Sequence, residues 1–386
     1  MSTTITFNKP YMTGRETHYL YQALEAGKLS GNGAFTKRCQ SFFEQRYGFG
    51  KCLLTSSCTD ALEMSALLCG IQPGDEVIVP SYTFVSTANA FILRGAKIVF
   101  ADSQEGHPNM DADLIESLIT EKTKAIVPVH YAGVACDMDK IMDLAEKYGL
   151  FVIEDAAQAI DSYYTGRDGL KRALGSIGHF ATFSFHETKN IISGEGGMLV
   201  VNDERFHKRA EVIWEKGTNR SAFFRGEVDK YGWIDVGSSF LPSEIVAAFL
   251  WAQLESLDDI QSKRKQHWRA YEAGLSEWAG RQGMELPKLP DYGTNNGHMF
   301  YMVCPSGEQR ERLIGFLKRR NIQAVFHYLS LHKSPYYKDK HEGLELPQAD
   351  RFSETLVRLP LYYELEGIDR IIDQLKTFKI YEKVAA

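Results

Sequence analysis

The sequence predicts an α/β protein: a mostly parallel sheet, then a smaller α+β domain. Three observations carry this. Between Cys52 and Val201 short apolar runs of strand length alternate with helical patterns. Polar residues gather just past the ends of those runs, where ligands bind in such sheets. A long helical region rich in Trp, Gln and charge, residues 244–278, then leads into a mixed C-terminal stretch.

The elements follow in order. Residues 16–26 read as a helix packing on the large domain, followed by the loop Ser30-Gly31-Asn32-Gly33. Residues 52–54, 77–79, 97–100, 125–129, 151–153 and 198–201 read as strands, and so does the apolar segment before Lys189. Residues 59–68 and 139–148 carry helical patterns, and residues 80–87 leave a strand and open a helix. Beyond the helical region, one helix or two, residues 298–304 and 324–328 read as strands, 308–320 as a helix and 369–384 as a closing helix. This places a large domain at 1–255 and a small one at 256–386.

The 386 residues suit two domains at roughly 100–200 residues each. With 44% hydrophobic and 24% charged residues, the composition is that of a soluble globular protein. The net charge of -6 offers no basic field for nucleic acid. No run approaches the ~18 apolar residues of a membrane span, and the first residues lack the pattern of a signal peptide. The expected location is the cytoplasm. Six scattered cysteines without a C-x-x-C pair indicate reduced thiols rather than zinc ligands or disulfides. There is no P-loop, no H-E-x-x-H and no G-x-G-x-x-G after a strand.

The most informative stretch is Thr182-Phe183-Ser184-Phe185-His186-Glu187-Thr188-Lys189-Asn190, followed by Gly194-Glu195-Gly196-Gly197. A lone lysine is ordinarily a surface charge. Here flanking phenylalanines suggest partial burial, which lowers a lysine pKa and favours Schiff-base chemistry, while the glycines permit close backbone approach to a ligand. Asp155 ends another strand at Glu154-Asp155-Ala156-Ala157-Gln158. It suits a helix cap, and equally a carboxylate paired with the ring nitrogen of pyridoxal 5'-phosphate (PLP), whose lysine partner would be Lys189. Gln158 could donate to the cofactor's phenolic oxygen. Ser57-Cys58-Thr59 opens a helix, and helix N-termini bind phosphate; plain capping is the simpler use of Ser57. Ser184 could add a phosphate contact. Phe84 could stack on a planar ring or be a core residue.

Together these stretches, with Pro128-Val129-His130-Tyr131, resemble the DegT/DnrJ/EryC1/StrS sugar aminotransferases of PLP-dependent transferase fold type I (aspartate aminotransferase-like), over nearly the whole chain. The resemblance implies amino transfer from L-glutamate to a nucleotide-linked keto sugar, with pyridoxamine 5'-phosphate as the intermediate cofactor form. It also implies a homodimer whose active sites are built from both subunits. Lys189 would hold PLP and shuttle the proton. Some relatives carry histidine at that position and perform dehydration, so lysine argues for transamination.

Residues 217–221, 223–226, 228–231 and 235–239 look like the branch that aminates C4 of dTDP-4-keto-6-deoxyglucose in surface-polysaccharide synthesis. Phe326-His327-Tyr328, Leu331-His332 and Arg358-Leu359-Pro360-Leu361 fit it too. Where the family often has Gly-x-Asn reaching the partner's cofactor phosphate, this chain has Gly237-Ser238-Ser239, so that contact would fall to Ser238 or Ser239. Asn219, Arg220, Lys230, His332 and Tyr131 are the candidate substrate contacts. Amination at C3, a UDP-linked sugar, and a non-catalytic PLP- or sugar-nucleotide-binding regulator are the competing readings. A regulator of that kind tends to carry a DNA-binding module, for which the chain shows no basic segment.

Overall fold

The computed structural model describes residues 4–379. A seven-stranded sheet lies at its centre, ordered Lys51–Thr55, Gly197–Val201, Phe180–Ser184, Phe151–Asp155, Thr123–Ile126, Glu76–Pro80, Lys97–Ala101. Gly197–Val201 runs antiparallel to both neighbours, and the remaining strands are parallel. Side chains alternate between the two faces with the strand period of two. Leu54, Ile78, Val152, Ala181 and Val200 enter the apolar cluster on one face. Leu53, Val77, Ile153, Phe180 and Leu199 enter the cluster on the other.

The parallel strands direct their carboxyl ends to one edge, and short helices leave from it. Cys58–Leu68 starts immediately after the first strand, capped by Ser57, whose Oγ accepts from the Asp60 N–H at 3.0 Å. Val85–Ile92 follows the strand Glu76–Pro80. Gly197 is paired with both Thr55 and Ser184. It has to be glycine, because a Cβ there would come within 2.3 Å of the Ser57 carbonyl carbon and 2.4 Å of the Cys58 nitrogen. The antiparallel strand therefore draws the helix start and the Ser184 strand end together.

Two expectations change. Residues 324–328 do not form a strand; Val325 makes only an isolated bridge to Arg358, within a turn-rich segment. The strand expected at 125–129 is Thr123–Ile126, and the chain leaves the ladder before Val129. A helix that the pattern analysis passed over, Ala34–Tyr47, follows Gly33. Its first turn is satisfied from far along the chain: the buried Glu244 carboxylate accepts from the N–H groups of Gly33, Phe35 and Thr36 at 2.9, 2.7 and 3.2 Å.

The helical region is two helices, Glu244–Glu255 and Leu257–Arg281, meeting at Ser256. A third apolar cluster gathers Trp268, Tyr271 and Leu275 from the second helix with Phe300, Met302, Val357 and Leu375. The closing helix is Ile368–Thr377, and the expected positions 380–384 lie outside the described residues. Among the described residues all six cysteines are free thiols. No helix among them is long and apolar enough to cross a membrane.

Glu154 holds the end of the Phe151–Asp155 strand. Fully buried, it accepts from the backbone N–H groups of Gly175, Ile177 and Gly178 at 2.7, 2.8 and 2.6 Å, and pairs with His130 Nε2 at 2.9 Å. Removing this acceptor leaves several buried donors unmet. Glu154→Ala is expected to cost about 3–5 kcal/mol, read as a lower urea midpoint, with Glu154→Gln retaining part of the loss. An unchanged midpoint in the alanine variant would refute this account.

Candidate active site

A cavity of about 710 Å³ opens at the carboxyl edge of the sheet. Its sheet-side wall carries Ser57, Cys58, Thr59, Phe84, Asp155, Gln158, Ser184 and Lys189, eight residues singled out from sequence. The C-terminal part of the chain closes it with His298, His327, Tyr328 and Arg358, and Phe7 and Asn8 add to the rim.

Lys189 sits in the turn after the Phe180–Ser184 strand. Its N–H donates to the His186 carbonyl at 2.9 Å. The next residue, Asn190, is buried and fixed on three sides: its Nδ2 donates to Gln261 Oε1 at 2.8 Å and to the Asn296 carbonyl at 3.0 Å, and its Oδ1 meets His298 Nδ1 at 2.8 Å. Part of the Lys189 side chain still faces the cavity. Burial depresses its pKa below the usual 10.5, and the Arg358 charge adds to this, while Cys58 and Asp155 oppose it. A lysine tuned this way has more of its neutral, nucleophilic form at neutral pH.

Asp155 is 5% exposed and accepts from Thr87 Oγ1 at 2.8 Å and from the Ala157 N–H at 3.2 Å. Burial pushes its pKa up, and those two hydrogen bonds pull it down. Among the described residues no lysine or arginine forms a salt bridge with it. Gln158 is locked by accepting from the Ala132 N–H at 2.7 Å and donating to the Tyr328 hydroxyl at 3.0 Å. Phe84 is 55% exposed, which excludes a core role, and its ring centre lies 6.2 Å from that of Tyr328, which lines the cavity beside it.

Several predicted roles need adjustment. The Ser57 Oγ accepts in its own helix cap, which leaves its O–H to donate elsewhere, and Thr59 Oγ1 pairs with Ser86 Oγ at 2.8 Å. The helix start contributes chiefly the first-turn N–H groups of Cys58 and Thr59, which have no intrahelical acceptor. The glycines after Lys189 accommodate the chain itself, as at Gly197. Tyr131 does not line the cavity; it lies in the layer behind, its hydroxyl 2.7 Å from His327 Nδ1. His332 is also outside it, buried with Nδ1 2.7 Å from Ser81 Oγ and Nε2 3.6 Å from Asp350. Asn219, Arg220, Lys230, Ser238 and Ser239 lie away from this chain's own cavity, on the segment 216–239.

The arrangement fits PLP. Asp155 is a buried carboxylate lacking a cationic partner, so a protonated ring nitrogen would complete it. The open helix N-terminus suits the phosphate, Ser184 stands beside it, and Phe84 offers an aromatic face. PLP, when bound, supplies an electron sink for the carbon that carries the amine. Around it Lys189 Nζ would hold the cofactor and would be the group placed to carry a proton. Asp155 would maintain the ring's charge, and Gln158, fixed by Tyr328, would orient it.

Fold and site together define a PLP-dependent aminotransferase. The model of the DegT/DnrJ/EryC1/StrS aminotransferase family matches residues 10–376, and the chain belongs to that family. It is 33% identical over 381 residues, 96% of each chain, to the spore coat polysaccharide biosynthesis protein SpsC of Bacillus subtilis (strain 168). Spr1654 of Streptococcus pneumoniae, described as a sugar aminotransferase and solved in PLP and PMP forms, superposes with a TM-score of 0.87. In its PLP form it is 27% identical, covering 97% of this chain and 98% of its own. S. venezuelae DesV, solved with a ketimine intermediate, gives a TM-score of 0.86 at 30% identity, covering 97% and 98%. The protein is a sugar aminotransferase that uses PLP, with PMP as the intermediate cofactor form.

Lys189→Ala should abolish turnover while PLP still binds noncovalently, seen as a changed visible spectrum of the loaded protein; full activity would overturn the assignment. Thr87→Val removes a hydrogen bond that lowers the Asp155 pKa. Its carboxylate then protonates at higher pH, so the acidic limb of kcat/KM should shift upward in pH. An unmoved limb would show that Thr87 does not tune Asp155.

Proposed function

We propose that the enzyme moves the amino group of L-glutamate to C4 of dTDP-4-dehydro-6-deoxy-D-glucose, giving dTDP-4-amino-4,6-dideoxy-D-galactose. The observation that carries this reading is the combined wall of the cavity: Lys189 and Asp155 on the sheet side face His327, Tyr328 and Arg358, residues of the two motifs that resemble the C4-aminating branch. The aromatic rings of Phe84 and Tyr328, their centres 6.2 Å apart, form one apolar patch on the cavity wall against which a sugar ring would pack. The likeness to a polysaccharide biosynthesis protein supports an amino sugar bound for a surface glycan.

The reading includes a homodimer with shared sites. Five of the candidates missing from the chain's own cavity, Asn219, Arg220, Lys230, Ser238 and Ser239, lie together on the segment 216–239, which also exposes Phe224, Tyr231, Trp233 and Ile234, with Trp233 84% exposed. Such an apolar surface is a contact face. In a two-fold dimer it would carry Asn219, Arg220, Lys230, Ser238 and Ser239 toward the partner's cavity. The division at 255/256 belongs to the same reading, with Ser256 as the joint between helices.

The test follows the visible band of lysine-bound PLP. Glutamate should bleach it and dTDP-4-keto-6-deoxyglucose should restore it, with the new amine located at C4 by NMR of the product. Bleaching without restoration by this sugar would discard the substrate and keep the class. An amine at C3 would discard the regiochemistry.

A further inference from the structure

We propose that His298 is a positioning residue for Lys189: its Nε2 lone pair accepts a hydrogen bond from the Lys189 amine and holds that amine while no cofactor is attached to it. The assignment rests on Lys189 being the reactive amine. His298 lies two residues before the strand Phe300–Val303, on the cavity wall contributed by the C-terminal part of the chain, and is 8% exposed. Its main chain is pinned. The His298 N–H donates to Asn296 Oδ1 at 3.0 Å, and Asn296 Nδ2 in turn donates to the carbonyls of Gln158 and Ile160 at 2.8 and 2.7 Å.

The surrounding hydrogen bonds fix which ring nitrogen carries the proton. Asn190, the residue after Lys189, donates from its amide nitrogen to Gln261 Oε1 at 2.8 Å and to the main-chain carbonyl of Asn296 at 3.0 Å. A carbonyl only accepts, so turning the amide over would set two oxygens against each other. The amide oxygen therefore meets His298 Nδ1, at 2.8 Å, and it too only accepts. Nδ1 must carry the hydrogen. The ring is neutral, because it is buried and because the charges of Lys189, Arg264 and Arg358 all oppose a second proton. Nε2 then carries no hydrogen and is an acceptor only.

Among the described residues His298 Nε2 has no partner, yet it is not sealed away as the orphaned Nε2 atoms of His107 and His332 are. An obligate acceptor thus opens into the cavity that Lys189 also lines. The other groups that act on the lysine are Cys58 at a helix start, Asp155 at a strand end and Arg358 on the facing wall. Arg358 only donates, the buried Cys58 thiol is a weak acceptor, and Asp155 already accepts from Thr87 and Ala157. That leaves the imidazole. A carboxylate in its place would grip the ammonium in a charge-assisted bond about twice as strong; a neutral acceptor orients the amine and still releases it. A hydrogen bond to the charged form favours that form, so His298 raises the Lys189 pKa against the burial that lowers it.

The test begins with NMR of the full chain, free of cofactor and isotope-labelled at the histidine nitrogens. His298 should show hydrogen on Nδ1 and none on Nε2. The Nε2 signal should move as Lys189 loses its proton with rising pH, and should stay still in Lys189→Ala. The second readout is the rate at which the protein captures PLP as a function of pH, followed by the visible band. His298→Leu removes the acceptor, so the midpoint of that curve should fall by about one pH unit. His298→Gln offers an N–H to Asn190 and an oxygen to the cavity, and should restore most of the shift. Slower capture at every pH with the midpoint in place would mark a merely structural tie and overturn the proposal, as would a hydrogen on Nε2. An Nε2 signal indifferent to Lys189 but moved by dTDP-4-keto-6-deoxyglucose would overturn it too, and reassign His298 to a sugar hydroxyl. Should the leucine variant fail to fold, the comparison of wild type with Lys189→Ala decides alone. A wild-type protein that captures no PLP would refute the role of Lys189 itself, and this proposal with it.

Discussion

Two buried carboxylates stand next to each other at the end of one strand, and the site depends on their being treated differently. Consecutive strand residues point to opposite faces, so Glu154 and Asp155 cannot share partners. Glu154 receives three backbone N–H groups and a histidine. Asp155 receives one hydroxyl and one N–H. Burying a charge without full compensation is expensive, and the strand tolerates Asp155 because Glu154 fixes the backbone on its other side. The first carboxylate is a structural staple and the second is an unfinished ion pair aimed into a cavity. A cationic ring nitrogen finishes it.

The same logic orders the rest of the sheet edge. Gly197 lies between the first strand and the strand that leads to Lys189, and its missing side chain brings the helix start at Cys58 against the end of that strand. Asn190 then ties that turn to Gln261, Asn296 and His298, residues of the C-terminal part of the chain. One side chain beside the reactive lysine thus connects the two walls of the cavity, and Lys189 is held by packing on both.

What was legible in the sequence was what is local in the chain. Lys189, Asp155, Gln158, Cys58 and Phe84 follow strand ends closely, and a parallel sheet collects strand ends on one edge, so their convergence needed no knowledge of long-range contacts. Direction was not legible. Tyr131 also follows such a boundary, yet its side chain turns into the layer behind the wall, toward His327, and His332, which follows no strand of the sheet, turns toward Ser81. The helix Ala34–Tyr47 was missed because its cap is supplied by Glu244, more than two hundred residues away. His298 and Arg358 sit on or beside a strand whose place over the sheet edge is set only by tertiary packing.

Facing Asp155, the C-terminal wall carries His298 and His327, both held neutral by burial, and Arg358. Neutral imidazoles donate or accept a hydrogen bond without adding charge, so Arg358 is the wall's one fixed cation among these lining residues. A transaminase passes two substrates through one space in turn, an amino acid and a neutral sugar ring. A wall with a single cation and otherwise uncharged, aromatic lining leaves the rings of Phe84 and Tyr328 as an uncharged surface that would suit the second. The asymmetry between a sheet edge rich in polar groups and a C-terminal wall of imidazoles, a phenol and one guanidinium follows from which half of the chain supplies each.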